Sequence, residues 1–173
     1  VATIEVGLTG VQWVVLHSGV RRELASSSYL DRVEECAEGL RSAQQRNPSI
    51  GHVRDLTLDE LDPERIGERR LRHVLSENAR VLRATRAVEM GDAEGLGAIL
   101  CEAHASLRDD YEVSCRQLDW LVESATRHRG CHGARMVGGG FGGCTLNLVE
   151  ADQTESFIES TLSAYRSKCV ETP

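Results

Sequence analysis

The sequence predicts an α+β domain in which helices pack on one face of an antiparallel sheet. Two observations support this fold class. Apolar residues recur at helical spacing in several long segments, and short β-branched or apolar runs occur near the start of the chain and on both sides of one glycine-rich stretch. The later part of the chain therefore has the order helix, strand, loop, strand, helix.

The first elements are strands followed by a helix. Residues 11–20 form the stronger strand candidate, and residues 2–8 form a weaker one that alternates apolar and polar positions. A triplet of serines then offers N-cap residues, and Ser28 with Asp31 approximates a capping box. The helix after it has a buried face and ends at Asn47-Pro48; its apolar positions are Leu30, Val33, Ala37 and Leu40.

Two helices in the middle of the chain are expected to form an αα-hairpin. A turn-rich connection comes first, in which Thr57 and Glu60 can cap a short helical turn. The first long helix covers about residues 64–90, with its arginines on the far face, and Gly91 closes it. A short loop makes the second helix antiparallel to it; that helix is marked by Leu96, Ile99, Leu100, Ala103 and Leu107.

Two more helices enclose the glycine-rich stretch. Ser114 and Gln117 form a capping-box pattern at the start of one, which runs on to Gly130 as its C-cap. The last is an amphipathic helix that includes Phe157 and Tyr165. At 173 residues the chain has the length of one domain.

Composition excludes several classes of function. A net charge of −7 gives no basic surface for nucleic acid. The chain has neither an apolar run of the roughly 20 residues that cross a bilayer nor a basic signal-peptide start, so it is expected to be soluble and cytoplasmic. The six cysteines are scattered, as for free thiols. His128, Cys131 and His132 match no standard zinc spacing, so we expect no metal site.

Five of the six residues from Gly138 to Gly143 are glycine. They satisfy G-x-G-x-x-G, but a strand and not a helix follows, so a dinucleotide fingerprint is excluded. No Lys-Ser/Thr pair follows, which excludes a P-loop. Two interpretations remain: a loop built for close contact, or a wide structural hairpin.

The stretch around these glycines resembles a known family. Residues 133–144, Gly-Ala-Arg-Met-Val-Gly-Gly-Gly-Phe-Gly-Gly-Cys, are similar to the third, C-terminal motif of the galactokinase family, within the GHMP small-molecule kinases. Residues 18–29, 73–82 and 104–114 resemble further family segments in the same order. The family usually has threonine at Val137, and the effect of losing that hydroxyl near the phosphates stays open.

The resemblance implies a GHMP kinase C-terminal domain. The implied activity is ATP-dependent phosphorylation of a sugar at its anomeric hydroxyl, with galactose as the leading substrate and N-acetylgalactosamine and L-arabinose as alternatives. ATP and Mg²⁺ would act in the full-length protein, and this chain alone would hold neither. An alternative is a non-catalytic galactokinase-like module for sensing or interaction.

The resemblance also assigns the site. Tyr29 matches the family tyrosine that contacts the sugar, although its ring could simply pack. The active-site glycine loop consists of Gly138, Gly139, Gly140, Phe141, Gly142 and Gly143, which would lie against the phosphate-binding loop of a partner domain. The catalytic residues are expected upstream, in an N-terminal kinase domain, whose tail or connecting strands would be residues 1–20. The isolated chain is therefore expected to be inactive and prone to self-association.

Four other positions admit a structural explanation. Arg135 is either a salt-bridge donor or a phosphate ligand. Asp109-Asp110 resembles a metal-binding pair, but the resemblance places it in a structural segment. His73 and Glu77-Asn78 are interpreted as residues on a helix face.

Overall fold

The structure is a computed structural model that describes residues 7–21 and 25–171, with the side chains of residues 25–27, 170 and 171 left out. The described part has three strands and five α-helices: β1 (Val11–His17), α1 (Ala25–Arg46), α2 (Ile66–Met90), α3 (Ala93–Asp109), α4 (Arg116–Thr126), β2 (Cys131–Val137), β3 (Cys144–Glu150) and α5 (Thr154–Glu171). Short 3₁₀ turns occupy Val53–Asp55, Leu58–Glu60 and Ala151–Gln153. Most of the weaker strand candidate, residues 2–6, lies outside the described residues.

The three strands form one antiparallel sheet in the order β1-β3-β2. Asn147 on the central strand faces Val14 on one side and Ala134 on the other. The Nδ2 atom of the buried Asn147 side chain donates to the Val14 carbonyl at 2.9 Å, which links β3 to β1. The predicted α+β fold with an antiparallel sheet is confirmed.

Helices α4 and α5 cover one face of the sheet. Their apolar side chains pack with inward-facing strand residues in a core that comprises Val14, Leu16, Leu121, Val122, Ala125, Ala134, Val149, Phe157 and Tyr165. The Tyr165 hydroxyl donates to the Ser18 carbonyl at 2.6 Å, so α5 also fixes the end of β1. Trp13 and Val15, which alternate with the buried β1 residues, are 41% and 58% exposed.

The predicted αα-hairpin is confirmed. The His73 ring lies 3.0 Å from the Ser106 hydroxyl, and Arg83 pairs with Glu102 nearer the turn, so α2 and α3 run antiparallel. Gly91, with φ of 68°, ends α2 in the left-handed conformation. Helix α3 passes so close to β2 that a Cβ atom on Gly97 would lie 2.2 Å from the His132 carbonyl oxygen.

Several predicted helix ends are wrong. Helix α1 begins at Ala25, so Ser28 lies inside it and is not its N-cap. Helix α4 has Cys115 as its N-cap, because the Ser114 hydroxyl donates to Asp119 at 2.6 Å. It ends at Thr126, because residues 127–130 turn into β2 before Gly130 can act as a C-cap. The capping interaction between Thr57 and Glu60 is confirmed, with a 2.7 Å bond from the Thr57 N–H to the Glu60 carboxylate.

None of the helices in the described part is both long enough and apolar enough to cross a membrane.

Candidate active-site loop

The glycine loop connects β2 to β3 with an unusual backbone. The φ angles of Gly138, Gly140, Gly142 and Gly143 are 87°, 86°, 134° and 92°. Residues other than glycine rarely adopt such values, which explains why this loop requires so many glycines. Phe141 also has a positive φ, of 57°, although it has a side chain. It is held there by neighbouring structure.

Three backbone hydrogen bonds hold the second half of the loop. The Phe141 N–H donates to the Val113 carbonyl at 2.7 Å, and the Gly143 N–H donates to the Val20 carbonyl at 3.2 Å. In return, the Gly143 carbonyl accepts from the Ser18 N–H at 2.8 Å. A Cβ atom on Gly140 would lie only 2.1 Å from the Val113 oxygen. The loop is therefore seated between the end of β1 and the turn before α4.

The first half of the loop is open. Gly138 and Gly139 are exposed, whereas Gly140, Gly142 and Gly143 are buried. A Cβ atom on Gly139 would meet nothing within 4 Å. The N–H groups of Gly138 and Gly139 donate to no residue that the structure describes. Two backbone donors that have no partner among the described residues, beside a fixed anchor, are suited to binding an anionic group.

Phe141 connects the loop to a small apolar cluster. Its side chain and that of Tyr111 both pack against buried residues that come from α3, α4, β2 and the turn before α4: Leu107, Val113, Leu118 and Met136. The Tyr111 ring stacks on His73 with centroids 4.7 Å apart. Burial lowers the pKa of His73 to about 4, so this ring is neutral at pH 7.

Tyr29 lies on α1 and is 47% exposed. It is close enough to Tyr111 to affect its ionisation: burial, together with the nearby Cys36 and Tyr29 side chains, raises the pKa of Tyr111 to about 12. Tyr111 itself belongs to the cluster that supports the glycine loop. The exposed Tyr29 phenol is accessible to a ligand.

His104 holds the strand that leads into the loop. Its Nδ1 atom accepts from the Met136 N–H at 3.3 Å, and its Nε2 atom lies 3.2 Å from the Asp119 carboxylate. Burial would raise the pKa of Asp119, but the neighbouring His104 and the Ser114 hydroxyl outweigh it and lower the pKa. The His104 side chain on α3 thereby contacts both β2 and α4.

The other candidate residues have structural partners. Arg135 pairs with Glu77 at 2.7 Å, and Asp109 pairs with Arg108 at 2.7 Å. Asp110 accepts from the Ser106 hydroxyl at 2.8 Å. Within the described ranges, no group of three or more His, Cys, Asp or Glu side chains could hold a metal ion. His132 instead lies 2.9 Å from Glu150.

Sequence reasoning missed one residue next to the site. The α2 arginines are not all on its far face, because Arg70 and Arg80 are buried, with 2% and 9% exposure. Arg70 makes ion pairs with Glu35 and Glu112. The signal was a polar stripe at helical spacing, Arg70, His73, Glu77 and Arg80, which marks a second inward-facing row of α2.

Comparison with known proteins identifies relatives of the whole arrangement. Residues 81–166 match the family model "GHMP kinases C terminal". Curated galactokinases are similar over most of the chain: that of Roseiflexus sp. is 44% identical over 158 residues, 88% of this chain and 40% of the relative. That of Chloroflexus aggregans is 44% identical over 164 residues, 91% of this chain and 42% of the relative.

Solved structures agree. A crystal structure of Lactococcus lactis galactokinase complexed with galactose matches 98% of this chain and 45% of its own, with a TM-score of 0.88 and 34% identity. L. major mevalonate kinase in complex with R-mevalonate matches 87% of this chain and 37% of its own, with a TM-score of 0.52 and 23% identity, which shows a shared fold alone. The chain spans about two fifths of the length of the curated relatives it matches. The chain therefore belongs to the GHMP kinase family, whose C-terminal domain model it matches, and galactokinases are among its relatives.

Proposed function

We propose that this chain is the C-terminal part of a galactokinase-like sugar kinase, which transfers a phosphoryl group from ATP to the anomeric hydroxyl of galactose or a close sugar. The observation that carries the proposal is the match over 98% of the chain to a galactokinase complexed with galactose, at a TM-score of 0.88. The remaining parts of the active site belong to an N-terminal domain. Such an ATP-dependent enzyme is expected in the cytoplasm.

The glycine loop supplies one wall of this active site. Phosphoryl transfer depends mainly on positioning and on stabilising negative charge, which backbone N–H groups can provide. The open half, Gly138 and Gly139, presents such groups, and the anchored half fixes their direction. These residues fit the phosphates of ATP or the phosphate-binding loop of the N-terminal domain.

The described residues do not form a binding site for Mg²⁺, because they contain no cluster of His, Cys, Asp or Glu side chains that could hold the ion. We propose that the Mg²⁺ ligands belong to the N-terminal domain. ATP supplies the phosphoryl group when it is bound. The contribution of this chain is to shape the cleft.

Tyr29 is the proposed sugar contact. Its phenol is half exposed, so it can offer a hydroxyl to a sugar and an apolar ring face to the sugar's C–H groups. The same exposure means that the fold does not depend on its burial. Trp13 and Val15 form an exposed apolar patch on the edge strand β1, through which we propose that the isolated chain self-associates.

The proposal is tested by incubating the full-length protein with Mg²⁺ and ATP and a panel of sugars: galactose, N-acetylgalactosamine, L-arabinose and, as a control, glucose. We expect one of the first three to yield a sugar phosphate whose phosphorus couples to the anomeric proton in the NMR spectrum. Phosphate on another hydroxyl, or no sugar phosphate at all, contradicts the proposal.

A further inference from the structure

Arg70 is a buried cation that joins three parts of the fold: its own helix α2, helix α1 and the turn at residues 110–113. Its side chain is 2% exposed on α2. Its Nε atom donates to Glu35 on α1 at 2.6 Å, its Nη1 atom donates to the Asp110 carbonyl at 2.6 Å, and its Nη2 atom donates to the Glu112 carboxylate at 2.8 Å. All three nitrogens of the guanidinium are used, which a lysine could not reproduce.

The Asp110 and Glu112 contacts fix a strained turn. Glu112 has a φ of 53°, a conformation that a glutamate holds only when its surroundings impose it. Arg69 adds a second ion pair to the Glu112 carboxylate, at 2.7 Å. The next residue, Val113, is 2% exposed and presents its carbonyl oxygen to the Phe141 N–H. The Arg70 guanidinium therefore helps to hold the turn that presents the anchor of the glycine loop.

The contact with Glu35 connects Arg70 to α1, the helix that carries Tyr29, the other predicted site residue. Glu35 and Tyr29 lie on the same helix, α1, less than two turns apart. Arg32, between them, also pairs with Glu35. A displacement of Arg70 would thus change both the loop anchor and the helix that carries the proposed sugar contact.

We propose that Arg70 is a positioning residue, which sets the glycine loop and the Tyr29 helix at a fixed separation through the 110–113 turn. Its side chain is 2% exposed, so it acts through the protein groups that it contacts. Only the kinetic part of this inference, an effect on kcat/KM for the sugar, rests on the proposed function.

A matched control lies on the same pair of helices. Arg46 on α1 pairs with the buried Glu68 on α2 at 2.6 Å, so it also joins α1 to α2 by an ion pair. Its other hydrogen bonds go to Ser42 and to the Glu60 carbonyl, away from the 110–113 turn. Loss of Arg46 should weaken the fold without moving the glycine loop.

The test compares Arg70→Lys with Arg46→Lys in the full-length protein. Hydrogen–deuterium exchange is followed in the peptide that spans residues 138–144, where the Phe141 and Gly143 N–H groups are bonded. We expect these amides to exchange roughly tenfold faster in Arg70→Lys, since charged hydrogen bonds that hold their anchor are lost. In Arg46→Lys they should stay within about twofold of the wild type.

Glu112→Gln provides the second test, because Glu112 is 42% exposed and its replacement removes only the charge that Arg70 and Arg69 hold. It should accelerate the same amides, and it decides the question if Arg70→Lys does not fold. Unchanged exchange at residues 138–144 in the folded variants overturns the inference. An equal increase in the exchange rate of these amides in Arg46→Lys also overturns the inference.

The kinetic measurement separates positioning from stability. Arg70→Lys should lower kcat/KM for the sugar about tenfold at a temperature where both variants are fully folded, and Arg46→Lys should not. A wild-type protein without kinase activity would refute the proposed function, but the exchange comparison would still decide the role of Arg70. Faster exchange without any kinetic change in an active enzyme contradicts the positioning role.

Discussion

The N–H of Phe141 donates a 2.7 Å hydrogen bond to the carbonyl oxygen of Val113. This bond joins two strained segments, because Phe141 and the neighbour of Val113, Glu112, are the two non-glycine residues of the described chain with positive φ. Each segment holds the other in an otherwise unfavourable conformation. The shape of the glycine loop is therefore a property of the tertiary contact and not of the glycines alone.

The two halves of the loop should respond differently to substitution. Gly140→Val should cost about 3 kcal/mol of unfolding free energy or more, because its φ is 86° and a Cβ atom would lie 2.1 Å from the Val113 oxygen. Gly139→Ala should change it by less than about 1 kcal/mol, because nothing lies within 4 Å. Denaturant unfolding of both variants checks this. Equal losses would contradict the division into an anchored and an open half.

Tyr29→Ala should raise the KM for the sugar in the full-length protein roughly tenfold and leave the KM for ATP nearly unchanged. Tyr29→Phe separates the hydroxyl from the ring. The matched control is Leu30→Ala, since Leu30 is 65% exposed on the same helix. A sugar KM that does not respond to Tyr29→Ala, or that responds equally to Leu30→Ala, would make Tyr29 a structural residue.

Protonation of His73 should reduce stability in mild acid. Its folded-state pKa of about 4 lies below the ordinary value of 6.5, so the unfolded chain takes up the proton first as the pH falls. The free energy of unfolding should therefore decrease by about 2 to 3 kcal/mol between pH 6.5 and pH 4 from this group. His73→Phe keeps a ring to stack on Tyr111 and should remove that part of the slope in urea titrations. An unaltered slope would refute this assignment.

Protonation of Glu68 should reduce the stability of the fold at a lower pH than protonation of His73. Its buried carboxylate accepts from Arg46, Ser42 and the Asp62 N–H, and these bonds outweigh burial and lower its pKa from 4.5 to about 2. Its stabilising contribution is therefore complete above about pH 4.5 and is lost as the pH falls towards 2. Glu68→Gln should cost about 2 to 3 kcal/mol of unfolding free energy at pH 7 and much less at pH 3.

The control for Glu68 is Glu102→Gln. Glu102 pairs with Arg83 at 2.6 Å, but both side chains are about half exposed, so its loss should cost less than about 1 kcal/mol. A similar cost for both substitutions would show that burial does not set the strength of the Glu68 pair.

The features of the fold that depend on local periodicity could be predicted from the sequence. The strand–loop–strand arrangement, the αα-hairpin and the left-handed end of α2 at Gly91 follow from short-range rules, and the structure has all three. Long-range contacts decided the rest. Ser114 is a good N-cap candidate for α4 by its spacing, but its hydroxyl bonds to Asp119. Local pattern places Arg70 on an exposed face, because the partners that bury it lie 35 and 42 residues away in the chain.

The same limit applies to the site. The glycine count predicted a loop with special backbone conformations, yet the division at Gly140 depends on Val113, a residue that no local pattern connects to it. The position of Tyr29 near Tyr111 likewise depends on how α1 packs. Spacing along the chain carries no information about such contacts.

The central claim, that this chain forms one wall of a sugar-kinase active site, is tested most directly by following ADP release with galactose, ATP and Mg²⁺. The assay is run on the full-length protein and on the 173-residue chain alone. We expect galactose-dependent turnover of about 1 to 100 per second from the full-length protein and none from the chain alone, because removing several positioning groups forfeits many orders of magnitude in rate. Turnover by the chain alone, or none by the full-length protein with any sugar of the panel, would contradict the account.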